Sequence, residues 1–185
     1  MAKAGRGAVF FDRDGVLNED RGYVHRIEDF RWIEGAPEAI RLVNAAGLLA
    51  IVATNQSGVA RGLYGEADVE ALHAWMAREL EAHGARIDAF YSCPYHEGGT
   101  VARYVAIDHP DRKPNPGMIL RAMADFGVDP KKSLLVGDRA SDLEAGARAG
   151  VAVRLFAGGS LERFVGELLA ARADDRRQLP GLPGN

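Results

Sequence analysis

Short apolar runs alternate along the chain with longer amphipathic stretches, a pattern that predicts parallel strands joined by crossover helices. Five runs read as strands: Ala8 to Asp12, Leu48 to Thr54, Ile87 to Cys93, Ser133 to Asp138 and Val151 to Leu155. Between the first two, Pro37 suits a first helical turn and Gly47 the place past the last, with Ile40 and Val43 on one face of the helix they bracket. Val69, Leu72, Met76 and Leu80 recur at three- and four-residue spacing and mark the inward stripe of a helix from about Glu66 to His83. Asn115 and Pro116 read as N-cap and first residue of a third helix, which Gly127 ends and whose Ile119, Leu120 and Met123 turn inward. Ser141 with Glu144 forms a capping box for a fourth, closed by Gly150. The connections Arg13 to Gly35 and Pro94 to Pro114 are too long for plain turns, and loops of that length in compact domains are usually functional. The predicted class is α/β with a mainly parallel five-stranded sheet. One domain is expected over residues 1–172, followed by a loose polar tail over 173–185.

Composition narrows this picture by exclusion. In 185 residues, 23 basic and 26 acidic side chains leave a formal charge of −3, and 47% of residues are hydrophobic. That balance excludes disordered, collagenous and disulfide-scaffold classes and gives no basic footprint for nucleic acid. The longest purely apolar run, Leu48 to Ala53, is far shorter than a membrane span, and Ala8 to Phe11 is too short for a signal-peptide core. A single cysteine permits no internal disulfide. The expectation is a cytoplasmic monomer that acts on a small molecule.

Three of the predicted strands end in polar chemistry, and in an open parallel sheet ligands bind beyond the carboxyl ends of the strands. The first runs into Asp12-Arg13-Asp14-Gly15, the second into Thr54-Asn55-Gln56-Ser57-Gly58, and the fourth into Gly137-Asp138. Asp12 and Asp14, two apart in extended chain, lie on one side and repel unless they share a proton or a cation. With Asp138 they form an oxygen-only set suited to Mg²⁺. An EF-hand calcium loop is excluded, because its fifth and sixth positions would be Val16 and Leu17.

Phosphoryl transfer needs an in-line nucleophile, neutralised equatorial oxygens and a proton for the leaving oxygen. Asp12 can attack and Asp14 can carry the proton, while Thr54, the backbone N–H groups after it and Lys113 can hold the phosphate. Asp142 opens a helix. It either serves the helix dipole or holds Lys113 or a metal-bound water.

These residues resemble the haloacid dehalogenase (HAD) superfamily of aspartate-nucleophile phosphatases. The likeness runs through Asp12-Arg13-Asp14-Gly15-Val16-Leu17-Asn18, Thr54 to Gly58, Arg112-Lys113-Pro114-Asn115-Pro116-Gly117-Met118 and Val136-Gly137-Asp138. Gly22-Tyr23-Val24-His25, Gly58 to Gly62 and Cys93-Pro94 narrow it to a group that resembles heptose 1,7-bisphosphate 7-phosphatases, with histidinol-phosphate phosphatases as near relatives. The resemblance implies a Rossmann-like three-layer sandwich without a separate cap domain. It also implies Asp12 as nucleophile, Asp14 as general acid/base and Asp12, Asp14 and Asp138 around Mg²⁺. Substrate contacts are implied at Asp20, Arg21, Gly22, Tyr23, Thr54, Asn55, Gln56, Ser57, Arg112, Lys113 and Arg139, the last standing where a lysine is usual. His25 is a further candidate for the substrate; His73 and His83 read as ordinary helix residues.

Arg112 beside Lys113 suggests one cation for the phosphate that leaves and one for a phosphate that stays. Relatives often carry a structural zinc on Cys-x-His and Cys-x-Cys pairs. Here Cys93, His96, His109 and Asp111 stand in those regions, chemically permissible for Zn²⁺ but short of two cysteines, and a metal-free loop is expected. The function expected is therefore Mg²⁺-dependent hydrolysis of a phosphorylated sugar through an aspartyl-phosphate. A histidinol-phosphate phosphatase and a silent binding module are the alternatives.

Overall fold

A computed structural model describes residues 5–178, with side chains through residue 173. Strands β1 (Ala8–Phe11), β2 (Leu49–Asn55), β3 (Ala89–Cys93), β4 (Leu134–Gly137) and β5 (Ala152–Leu155) form one parallel sheet in the order β3-β2-β1-β4-β5. Helices α1 (Ala36–Ala45), α2 (Glu66–Ala82), α3 (Gly117–Phe126), α4 (Ala140–Arg148) and α5 (Leu161–Gln178) cover both faces. A three-layer α/β sandwich with a parallel five-stranded sheet is therefore present, as expected.

Side chains alternate across the strands, and each face has its own core. Val9 and Phe11 of β1 and Val52 of β2 pack with Ile40 of α1, Met76 of α2 and Leu161 of α5. Ala8 and Phe10 turn the other way, onto Ile119 and Ala122 of α3 and Ala145 of α4. The central strands are buried on both sides, which explains why they read as continuous apolar runs. After β3 the chain crosses to the far side of β1. The switch point, and the crevice that accompanies it, thus fall between the carboxyl ends of β1 and β4.

Several local readings change. Asn115 does not cap α3, whose N-cap is Pro116 with no side-chain bond. The Asn115 amide instead donates to Asp108 Oδ1 at 2.6 Å and accepts from Arg148 at 2.8 Å, tying the long loop to α4. Leu120 is 46% exposed rather than inward. At α4 the box is formed by Asp142, which accepts the Arg139 N–H at 3.0 Å, while Glu144 pairs with Arg148. Helix α5 was not expected. It runs to Gln178, six residues into the stretch read as a tail, and residues 179–185 lie outside the described part.

Candidate active site

The Asp12 N–H donates to Val136 O of β4 at 3.0 Å, so the first acid continues the β1–β4 ladder. The chain then turns tightly, with Leu17 and Asn18 N–H groups both bonded to the Arg13 carbonyl. Gly15 takes φ +89°, and a Cβ there would fall 2.2 Å from Asp138 Oδ2. At the end of β4 a Cβ on Gly137 would fall 2.2 Å from the Asp142 Cβ. Glycine at these two places lets the β4–α4 corner close against the β1 turn.

That closure brings carboxylate oxygens of Asp12, Asp138 and Asp142 within 4.8 Å of one another. Lys113 is 4% exposed, and its Nζ meets Asp12 Oδ1 at 2.9 Å, Asp142 Oδ1 at 2.6 Å and the Ala53 carbonyl at 2.7 Å. Burial works against its ammonium form, but Asp12 and Asp142 outweigh burial and hold the pKa above the usual lysine value. Burial also pushes Asp12 up to about 6, with Asp142 and Asp14 adding to the rise and Lys113 opposing it. Asp138 is raised by burial and then by Asp142, and its Oδ1 is buried without a hydrogen-bond partner among the described residues. Among the described residues, the only cation besides Lys113 that the three acids meet is Arg139, at 3.9 Å from Asp138 Oδ2; three crowded acids with one unpartnered oxygen fit a hard divalent cation among Asp12, Asp138 and Asp142. Asp142 thus does both jobs left open for it, closing the helix start and holding Lys113.

Asp14, also expected around the metal, has its carboxylate outside that group of three. Its carboxylate receives Arg13 Nη2 at 3.0 Å on each oxygen, Asn18 Nδ2 at 3.0 Å and Gln56 Nε2 at 2.9 Å. With four donor contacts and 21% of the side chain exposed, it stands beside the cluster with one side open.

A cavity of about 240 Å³ covers this floor. It is lined by Asp12, Asp14, Asp20, Gly22, Tyr23, Thr54 to Ser57, Lys113, Arg139 and Asp142, so most predicted contacts converge. Arg139 and Asp20 pair across the mouth at 2.6 Å. Asn55 exchanges two hydrogen bonds with the Lys113 backbone and so fixes where the ammonium stands.

Two predicted contacts lie elsewhere: Arg21 pairs with Glu19 on the surface, and Arg112 lines a neighbouring cavity of about 260 Å³ that Lys113 also borders. A larger cavity, about 600 Å³, opens at the amino ends of the strands. Its lining of Lys131, Lys132, Arg154 and Arg172 holds no carboxylate, so the acid chemistry stays in the smaller one.

The zinc candidates go to separate partners. Cys93 is buried and its thiol pushed up to about 11 by that burial, His96 meets Arg61, His109 stacks on Tyr95 and Asp111 pairs with Arg121. Among the described residues, only the Asp12, Asp138 and Asp142 group has ligand spacing.

Reasoning from sequence missed Arg13, Tyr64 and Ser141. Tyr64 and Ser141 line the cavity, and Tyr64 donates to Gln56 Oε1 at 2.8 Å. The signal for Arg13 was its place between two acids, which turns it the opposite way from them and into the core.

A profile of the HAD-hydrolase-like family matches residues 111–176. The D-glycero-beta-D-manno-heptose-1,7-bisphosphate 7-phosphatase of Rhodopseudomonas palustris is 48% identical over 165 residues, 89% of this chain and 91% of that protein. A D-glycero-alpha-D-manno-heptose-1,7-bisphosphate 7-phosphatase from Burkholderia mallei is 48% identical over 149 residues, covering 80% of this chain and 78% of that protein. The crystal structure of D,D-heptose 1,7-bisphosphate phosphatase from B. bronchiseptica, complexed with magnesium and phosphate, superimposes with a TM-score of 0.74 at 31% identity, covering 94% of this chain and 99% of that one. Acids at a sheet switch point, a buried lysine between them and relatives this close lead to one conclusion: the chain belongs to the haloacid dehalogenase superfamily and is a phosphatase, a phosphoric monoester hydrolase.

Proposed function

We propose that the enzyme removes the 7-phosphate of D-glycero-D-manno-heptose 1,7-bisphosphate with Mg²⁺, through an aspartyl-phosphate on Asp12. The observation that carries the mechanism is the placement of Asp12 on the cavity floor, 2.9 Å from Lys113 Nζ and grouped with two further acids. Asp12 attacks phosphorus and the bond to the sugar oxygen breaks, Asp14 giving that oxygen its proton. Asp14 then takes a proton from the water that attacks the aspartyl-phosphate, which returns Asp12 and releases inorganic phosphate. Lys113, the Thr54 hydroxyl and the backbone N–H groups of Asn55 and Ser57 hold the phosphate oxygens, the Gln56 N–H being bonded to the Cys93 carbonyl at 2.8 Å. Mg²⁺ held by Asp12, Asp138 and Asp142 supplies charge neutralisation.

The substrate rests on the relatives' names and on two cations beyond the reacting phosphate. Arg139 stands at the mouth and Arg112 in the adjoining cavity, either of which suits a phosphate that is retained. Residues 1–172 act as one catalytic domain, without nucleic acid or membrane partners, as a monomer in the cytoplasm. Among the described residues no helix is long and apolar enough to cross a membrane.

Phosphate release is measured with Mg²⁺ over heptose bisphosphate, histidinol phosphate and sugar monophosphates. Heptose bisphosphate is expected to lead by at least about tenfold, the worth of one charged hydrogen bond. Asp12→Asn is expected to abolish turnover while keeping the fold. Wild-type release from that variant would refute the mechanism, and preference for histidinol phosphate would refute the substrate.

A further inference from the structure

Arg13 has no exposed surface, yet it carries a guanidinium into the core beneath the site. A buried charge is costly unless its donors find acceptors, and an apolar side chain of similar volume would fill the same space at lower cost. Its Nη2 donates to both Asp14 oxygens at 3.0 Å, to Val24 O at 2.6 Å and to Gln56 Oε1 at 3.2 Å. Its Nη1 faces Nε2 of His73 at 3.4 Å. His73 lies on α2, sixty positions along the chain, and lines no part of the cavity. Its ring is stacked on Phe90 of β3, centroids 4.5 Å apart, which fixes the plane in which it meets the guanidinium. Burial, followed by the Arg13 charge, lowers its pKa to about 3, so near neutrality Nε2 offers a lone pair to the guanidinium.

We propose that His73 and Arg13 are positioning residues for proton transfer: His73 sets the guanidinium, and the guanidinium aims the Asp14 carboxylate at the leaving oxygen. The inference rests on the reading of Asp14 as proton carrier. Two features favour it over simple core filling. Both Asp14 oxygens are gripped from the Arg13 side while the opposite side stays open to the cavity, the arrangement a proton carrier needs. Gln56, which also touches Asp14, is fixed by the same guanidinium together with Tyr64 and Thr54.

A misaimed acid harms esters in proportion to how much their leaving group needs a proton. In the full-length protein with Mg²⁺, kcat/KM is therefore compared for heptose 1,7-bisphosphate, which leaves as an alkoxide, and p-nitrophenyl phosphate, whose phenolate leaves unaided. His73→Phe keeps the ring stack and removes the acceptor. It is expected to lower kcat/KM about tenfold on the sugar ester and less than about twofold on the aryl ester, with His73→Gln restoring most of the loss. Equal losses on the two esters, no loss, or no rescue by glutamine overturns the proposal. Arg13→Lys keeps the charge without the fork, is expected to show the same leaving-group bias, and decides the matter if His73→Phe does not fold. Absence of that bias overturns it. Asp14→Asn, run alongside, separates the two failures. If it too spares the sugar ester, the assignment of Asp14 falls. If it alone shows the loss, only the positioning role falls.

Discussion

Lys113 is the side chain on which the floor of the site depends. It is buried between Asp12 and Asp142, and removing one partner from such a group leaves uncompensated charge, at a cost of about 3–5 kcal/mol. Lys113→Met is expected to lose phosphate release and to lower the melting temperature by roughly 6–20 °C. Calorimetry beside the activity assay checks this, and an unchanged melting point would remove the lysine from that role. His73 gives a different prediction. Its folded pKa of about 3 lies below the ordinary 6.5, so folding keeps it neutral while the unfolded chain takes up a proton. The stability it contributes is whole above pH 6.5 and declines toward pH 3, by up to about 1.4 kcal/mol per pH unit. Urea titrations at pH 7 and pH 5 are expected to show a smaller drop for His73→Phe than for the wild type. At this scale Asp12, Asp14, Asp138 and Thr54 were legible because each follows an apolar run, and Lys113 because it stands just before a helix start. What joins them was not. Asp142 comes beside Asp12, and Arg13 meets His73, through approaches between residues sixty or more positions apart that no local pattern encodes.

Helix α5 illustrates what was hidden among the elements. Leu161 and Val165 are buried against α1, and the Leu161 N–H reaches the Glu34 carbonyl at 2.8 Å, fastening the helix to the end of the first long loop. Its spacing of Leu161, Val165, Leu168 and Leu169 carries the inward stripe, but charged residues crowd the rest and mask the periodicity. Leu161→Ala is expected to destabilise the protein by about 2–5 kcal/mol, as for other fully buried leucines, with the activity of the surviving folded fraction near normal. Chemical denaturation provides the measurement, and a loss below about 0.5 kcal/mol would show that α5 is an appendage. The strands and the first four helices were legible because each buries a continuous face. Their caps were less so: Asn115 turns to Asp108 and Arg148 instead of capping α3, and Asp142 instead of Glu144 closes the start of α4.

For the molecule as a whole, the active-site acids weaken the fold until something neutralises them. Burial and mutual repulsion raise both Asp12 and Asp138, so a cation that binds the folded cluster and not the unfolded chain stabilises it by mass action. At a hundred times its dissociation constant, Mg²⁺ is expected to contribute about 2.7 kcal/mol, raising the melting temperature by roughly 5–10 °C. Asp138→Asn is expected to abolish that increment and to raise the melting point of the metal-free protein. The polar network has another outcome. Gln56 has engaged its amide hydrogens with Asp14 and Thr54 and its carbonyl with Arg13 and Tyr64, so any replacement strands at least one neighbour. Arg139 and Arg21, facing water at the rim and beyond, carry no such obligation. Over evolutionary time, substrate preference is thus free to drift around the entrance while the chemistry beneath it stays frozen.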